Sequence, residues 1–229
     1  MKLKVNQLRV QVARQTQPIL DIEHLSLAQG EHLAISGASG SGKTTLIHHL
    51  CGLARGQAGS VWWDNDDIHR LSPTACDRWR GEHLGLIMQN FYLIDSLSAL
   101  DNVLLPSALR HFRLESTVRQ YALSLLEQLG IKNPRQRTAD HSRGEMQRIA
   151  IARALLGKPR VLIADEPTAS LDAENGAQVA ALLHEFSTSC GATFLCVTHD
   201  TVLQQHFSHH ITLAHGRMIE TTLNHEDHT

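Results

Sequence analysis

Aromatic residues make up only 4% of this 229-residue chain. No apolar run approaches the roughly 18 residues that a bilayer-spanning helix needs, which excludes a transmembrane segment. Cysteine is sparse too. Cys51, Cys76, Cys190 and Cys196 show no paired metal-ligand spacing, and their scatter suits reduced thiols in a cytosolic chain. Neither sign of charge is in excess: 21 Lys and Arg against 23 Asp and Glu give a formal net charge of −2. That excludes an electrostatic nucleic-acid binder, which needs a basic stripe. The opening stretch from Met1 to Val10 lacks the apolar core and cleavage site of a signal peptide. There is no internal repeat, low-complexity tract or long linker. A hydrophobic fraction of 42% and a charged fraction of 19% mark an ordinary globular chain. Histidine is unusually abundant, with sixteen copies along the whole length. Such a spread reads as surface and cap positions rather than a metal site, and His206, His209 and His210 read as the polar end of a helix.

Alternating apolar positions at Leu3, Val5, Leu8, Val10 and Val12 predict a strand. After the turn Gln15 to Pro18, Ile19 to Leu27 predicts a second, and Leu33-Ala34-Ile35 a short apolar third. Leu46, Ile47, Leu50 and Leu53 then sit at helical spacing, with His48 and His49 on the polar side. Trp62 and Trp63, within a strand that ends near Asn65, face opposite ways, so one is core and the other covers an edge. Further strands are expected at Leu84–Met88, Val161–Ala164 and Thr193–Val197, a helix from Ala173 to Phe186, and a hairpin over Ile211–Ile219 turning at His215-Gly216. From Phe91 to about Arg143 the chain has helical periodicity and few β-branched residues, which predicts a helical insertion. Strands alternating with helices predict an α/β fold with a parallel sheet and helices on both faces.

Gly37-Ala38-Ser39-Gly40-Ser41-Gly42-Lys43-Thr44 matches the phosphate-binding loop pattern in full, after a buried strand and before an amphipathic helix. The glycines let backbone N–H groups curl around phosphate oxygens, and the helix start adds partial positive charge. Lys43 is placed to reach the β- and γ-phosphates and the Thr44 hydroxyl to ligate Mg²⁺. Val161 to Glu166 is an apolar strand that delivers two carboxylates at its C-terminal end, the edge where open α/β sheets bind ligands. Asp165 is suited to hold Mg²⁺ and Glu166 to activate the attacking water as general base.

On these motifs the chain resembles the ATP-binding-cassette (ABC) ATPases, and the likeness extends over nearly its whole length. Gln89, after the strand Leu84–Met88, is similar to the family glutamine that senses Mg²⁺ and γ-phosphate. His141-Ser142-Arg143-Gly144-Glu145 occupies the place of the family signature loop, whose serine and glycine face a nucleotide held by the opposite subunit. Ser170-Leu171-Asp172 resembles the loop that crosses the dimer interface, and His199 the histidine that contacts the γ-phosphate. Ala99 to Pro106, with Glu145 in the signature and Ala164 to Thr168, is closest to the lipoprotein-release and macrolide-efflux branch. The resemblance implies one domain over residues 1–229: a P-loop NTPase core with a mainly parallel sheet, an N-terminal antiparallel β subdomain and a helical subdomain inserted at about 91–150. It implies ATP and Mg²⁺ as ligands. Gly37 to Thr44, Thr45, Gln89, Ser142 and Gly144 would hold the nucleotide; Thr44, Gln89 and Asp165 the metal. Lys43, Gln89, Glu166 and His199 would carry the chemistry. It further implies an ATP-dependent head-to-tail homodimer and a separate integral-membrane permease, with the chain on the cytoplasmic face of the membrane.

Three departures stand out. No Phe, Tyr or Trp precedes Trp62, and Val12 sits near the place where the family stacks an aromatic on adenine. By analogy with base stacking elsewhere, that loss costs about 1–3 kcal/mol. His141 replaces an apolar residue of the signature. Arg143 replaces its first glycine, and the sequence leaves open whether its side chain obstructs the composite site or adds a charge-assisted contact to phosphate. The second functional alternative is therefore a regulatory nucleotide-binding module with little turnover. Phe91-Tyr92-Leu93-Ile94 reads as subdomain core in preference to a surface for the permease.

Overall fold

The computed structural model describes residues 1–11, 17–56, 58–110 and 113–223. Strands β1 (Leu3–Val10) and β2 (Leu20–Leu27) alternate apolar and polar residues, and so bury one face each. They pair antiparallel with Leu3 opposite Leu27. With β4 (Ala58–Trp63) and the two-residue β5 (Asp66–Asp67) they form a four-stranded sheet in the order β2-β1-β4-β5. On β4, Trp63 is fully buried and its Nε1–H donates to the Leu50 carbonyl at 2.9 Å, while Trp62 faces the other way, half-buried.

The second sheet has the order β10-β9-β3-β8-β7-β6. Strands β3 (His32–Ser36), β6 (Leu84–Ile87), β7 (Val161–Asp165), β8 (Thr193–Val197) and β9 (His209–Ala214) run parallel; β10 (Arg217–Leu223) returns antiparallel from a turn where His215 and Gly216 both have positive φ. Every residue of β7 and β8 is buried, because both faces of this sheet are covered. Leu33, Ile35, Ile163 and Leu195 pack with helix α1 (Lys43–Leu50) and the antiparallel sheet. Ala34, Leu162, Phe194 and Cys196 pack on the other side, with helices α3 (Ala99–Arg110), α4 (Ser116–Gln128), α5 (Arg143–Leu155) and α6 (Ala173–Ser189). The α/β fold and the parallel sheet are as expected.

Between β6 and β7 lie α3, α4, a 3-10 turn at Thr138–Asp140 and α5. Buried Asn102 ties this region together: its Nδ2 donates to the Ile94 carbonyl at 2.9 Å and to Thr138 Oγ1 at 2.8 Å. Among the described residues no helix is long and apolar enough to cross a membrane.

Several expectations are corrected. Helix α2 (Pro73–His83) was not anticipated; it buries only Cys76 and Trp79, too few to make an apolar stripe. Helix α1 stops at Leu50, where Gly52 turns left-handed, so Leu53 lies beyond it and is exposed. His49 is not on a polar face. It is buried against the His69 ring at 5.4 Å, and burial pushes its pKa down to about 4. His32 is likewise buried, with its pKa lowered to about 4 for the same reason. Nor do His209 and His210 end a helix. The short α7 (Thr201–Gln204) has finished, and the alternation of Ile211 and Leu213 makes strand β9 instead. His209 is buried with Nε2 3.4 Å from Glu31 Oε1. The histidines are thus only partly a surface set.

Candidate functional site

Four parallel strands end at one edge of the sheet, and a chemically active residue follows each end. The loop after β3 runs from Gly37 to Gly42; Gln89 follows β6; Asp165 closes β7 and Glu166 follows it; His199 stands two residues past β8. They surround a cleft of about 340 Å³ lined by Ser39, Gly40, Gly42, Lys43, Thr44, Thr45, Gln89, Asp165, Glu166 and His199, with Ile19 as its apolar wall. The predicted phosphate loop, metal ligands and catalytic side chains are therefore neighbours in space.

Backbone shape makes the loop. Gly42 has φ 106° and caps α1, and a Cβ there would stand 2.9 Å from the Ile19 carbonyl oxygen. A Cβ on Gly37 would collide with the carbonyl of Leu213. No side chain caps α1 and no acidic residue lies in its first turn, so the positive end of the helix is left for an external anion. Lys43 Nζ arches over the loop and donates to the carbonyls of Gly37 at 2.6 Å and Ala38 at 2.9 Å. Ser41 is buried, and its carbonyl accepts from Gly216 N at 3.0 Å, pinning the loop to the β9–β10 turn.

At the base of the cleft the Thr44 hydroxyl donates to Asp165 Oδ2 at 3.2 Å. This hydroxyl, this carboxylate and the side-chain carbonyl of Gln89 are hard oxygen donors, the kind Mg²⁺ prefers, so the residues present fit that ion. Glu166 has φ 52°, a left-handed conformation that costs a non-glycine residue about 1–3 kcal/mol and persists only where the surroundings impose it. Its N–H donates to the Val197 carbonyl at 2.8 Å and its carbonyl accepts from Gln147 Nε2 at 3.2 Å. Its carboxylate lies 3.7 Å from His199 Nε2. Burial raises the pKa of Glu166, opposed by the neighbouring His199, and raises that of Asp165, opposed by Thr44 and Lys43. A carboxylate held above its usual range is a stronger base.

Three contributors were not foreseen. Gln147 is buried on α5 and donates to the carbonyls of Glu166 and Pro167, while its Oε1 accepts from Ser170 N. Thr168 Oγ1 donates to Asp200 Oδ2 at 2.9 Å, joining the loops that carry Glu166 and His199. Ile19 is the third. An amide at a core-facing helical position was the available signal for Gln147; Thr168 and Ile19 had none.

Ser142 and Gly144 do not line the cleft. Ser142 caps α5 in a reciprocal box: its Oγ accepts from Glu145 N at 3.2 Å, and its own N–H donates to Glu145 Oε2 at 2.9 Å. That backbone bond holds the Glu145 carboxyl below its ordinary pKa. His141, where the family pattern has an apolar residue, is buried with Nδ1 3.6 Å from Glu145 Oε1. The Phe91–Ile94 cluster is split rather than wholly core: Leu93 packs inward, whereas Tyr92 and Ile94 are exposed. Val12, the position expected near the base, lies outside the described residues.

The profile of the ABC transporter family matches residues 20–169. The chain belongs to the ABC transporter family. It is 41% identical over 205 residues to an uncharacterized ABC transporter ATP-binding protein, YbbA, of Escherichia coli (strain K12), spanning 88% of this chain and 89% of that one. It is 38% identical over 202 residues to the lipoprotein-releasing system ATP-binding protein LolD of Shewanella sp. (strain MR-7), covering 88% and 87%. This bears out the likeness to the lipoprotein-release branch. A solved dimer of the ATP-binding cassette MJ0796, bound to ADP and Pi after hydrolysis, matches with a TM-score of 0.90 at 29% identity over 96% of this chain and 98% of that one. This ABC cassette is thus the ATP-binding subunit of a transporter, and the regulatory-module alternative is not favoured.

Proposed function

We propose that this ABC cassette hydrolyses Mg-ATP and powers a separate integral-membrane permease, on whose cytoplasmic face it sits, by closing head-to-tail on a second copy of itself. One observation carries this: Lys43, Thr44, Gln89, Asp165, Glu166 and His199 line a single cleft at the ends of four parallel strands. In this scheme the backbone of Gly37 to Thr45 and the Lys43 ammonium bind the phosphates. Thr44, Gln89 and Asp165 hold Mg²⁺, which when bound offsets phosphate charge. Glu166, of raised basicity, takes the proton of the attacking water, and His199 orients against the γ-phosphate. Ser142 and Gly144, outside their own cleft, supply the donor edge for the nucleotide of the partner copy.

The first test is steady-state turnover of the chain against its Glu166→Gln variant, together with the mass of that variant in solution with and without ATP and Mg²⁺. Turnover at least a hundredfold above the variant, and an ATP-dependent dimer that Lys43→Ala abolishes, are expected. Turnover equal to the variant's rejects hydrolysis. A variant that stays monomeric with ATP bound rejects the composite site.

A further inference from the structure

Arg143 occupies the first position of α5, where a cation faces the positive end of the helix dipole. The helix start is already satisfied by the Ser142–Glu145 box, which uses no atom of the Arg143 side chain. Helix formation therefore does not account for this residue. Its contacts do. Arg143 Nε donates to Ser170 Oγ at 3.0 Å, and its guanidinium carbon lies 5.7 Å from the centroid of the Phe91 ring. Ser170 is on the loop that follows Glu166, and Phe91 is two residues after Gln89. A glycine at this position touches neither.

Other groups of α5 hold the same two segments. Gln147 is bonded to the backbone of Glu166, Pro167 and Ser170. Arg153 donates to the carbonyls of Tyr92 at 2.7 Å and Phe91 at 2.5 Å. At the N-terminal end the approach is close enough that a Cβ on Gly144 would stand 3.3 Å from Leu171 Cδ2. Of these groups Arg143 alone reaches both segments with one side chain.

We propose that Arg143 is a positioning residue whose guanidinium braces the Gln89–Ile94 segment and the Glu166–Leu171 loop against the start of α5, so that the two sides of the cleft move as one unit. Its consequence for turnover rests on the proposed hydrolysis; the brace itself does not. The guanidinium is committed within its own chain, to a hydroxyl and an aromatic face, rather than extended towards the partner's phosphate. A planar group with a fixed Nε–H is needed, and lysine lacks both features.

The test is backbone hydrogen exchange on the nucleotide-free chain, comparing wild type with Arg143→Ala, Arg143→Lys and a Glu145→Ala control that loosens only the helix start. Arg143→Ala should speed exchange about five- to tenfold in residues 89–94 and 166–171 together, the worth of one surface hydrogen bond and one cation–π contact. Arg143→Lys should show most of that change, and Glu145→Ala a change confined to 142–147. Unchanged exchange in either loop overturns the brace, as does a lysine variant that behaves like wild type. A second readout separates positioning from phosphate binding: Arg143→Ala should lower kcat several-fold and leave the KM for ATP unaltered. A raised KM that lysine restores assigns Arg143 to phosphate and overturns the proposal. If the wild-type chain turns over no faster than Glu166→Gln, hydrolysis is rejected while the exchange data still decide the brace.

Discussion

The strand-end edge and the start of α5 contrast within one molecule. At the edge, residues far apart in sequence meet because parallel strands finish together, and every motif position there agrees with the family pattern. At the start of α5, two of the positions from His141 to Gly144 depart from it, and Ser142 and Gly144 stand outside the cleft that carries Lys43. The edge is built from main chain: left-handed glycines, an uncapped helix, a strained Glu166. Little in it can change without loss of the cavity. The start of α5 faces no cleft of its own, and its odd residues have found partners in their own chain, Arg143 on Ser170 and His141 beside Glu145. A cleft shaped by main chain constrains its residues more tightly than a helix start whose side chains can find new partners nearby.

That contrast breaks most readily under substitution. Lys43→Ala should cut turnover at least a hundredfold with the fold intact, because it removes the charge that the loop presents to phosphate. A loss below tenfold, measured at saturating ATP with circular dichroism unchanged, would show the edge to be less essential than the contrast requires. Ser142→Ala should be milder on both counts. It removes a cap worth about 1 kcal/mol of stability and lowers turnover roughly tenfold, the worth of one charge-assisted donor. Nucleotide affinity of the isolated monomer should stay constant, since Ser142 is absent from its own cleft. Weakened monomer binding would place Ser142 at the wrong nucleotide.

The difference also explains what could be read in advance. The middles of doubly buried strands are apolar, so the runs Leu33–Ile35 and Val161–Ala164, followed by Gly37 and by Asp165-Glu166, announce both fold and cleft. Helix α2 was hidden because most of it is polar, and only Ser72 before Pro73, an N-cap ahead of a first-turn proline, marked it. His49 was misplaced because periodicity alone does not say that a ring will be covered from the side by His69. Thr168 acts on the Asp200 carboxylate and Gln147 on the backbone of the Glu166 loop, and no local pattern names a partner at that separation.

A third substitution trades function for stability. Asp165 has its pKa raised by burial, so its folded form is strained as a carboxylate. Asp165→Asn should raise stability by about 0.5–2 kcal/mol, the usual size of a stabilising active-site change, seen as a higher denaturant midpoint with turnover lost. An unchanged or lower midpoint would mean that the bond from Thr44 outweighs burial.

The smallest effects come from pH, where the two kinds of buried group pull in opposite directions. The carboxyls of Asp165 and Glu166 have raised pKa values, so just above the ordinary carboxylate range the folded state binds more protons than the unfolded. Acidification through that window adds stability. His32 and His49 titrate near 4 when folded and near 6.5 when unfolded. Between those values the unfolded state binds the extra protons, and stability is lost as pH falls. The histidine window opens first on the way down, so thermal midpoints should drop by ~2–4 °C per group, on the order of 1 kcal/mol each, between neutral pH and about 5. His49→Gln should flatten that drop. Glu166→Gln removes an opposing group and should steepen the curve only at the acid end. If His49→Gln leaves the slope untouched, the ring is reached by water despite its burial, and the acid sensitivity rests on His32 instead.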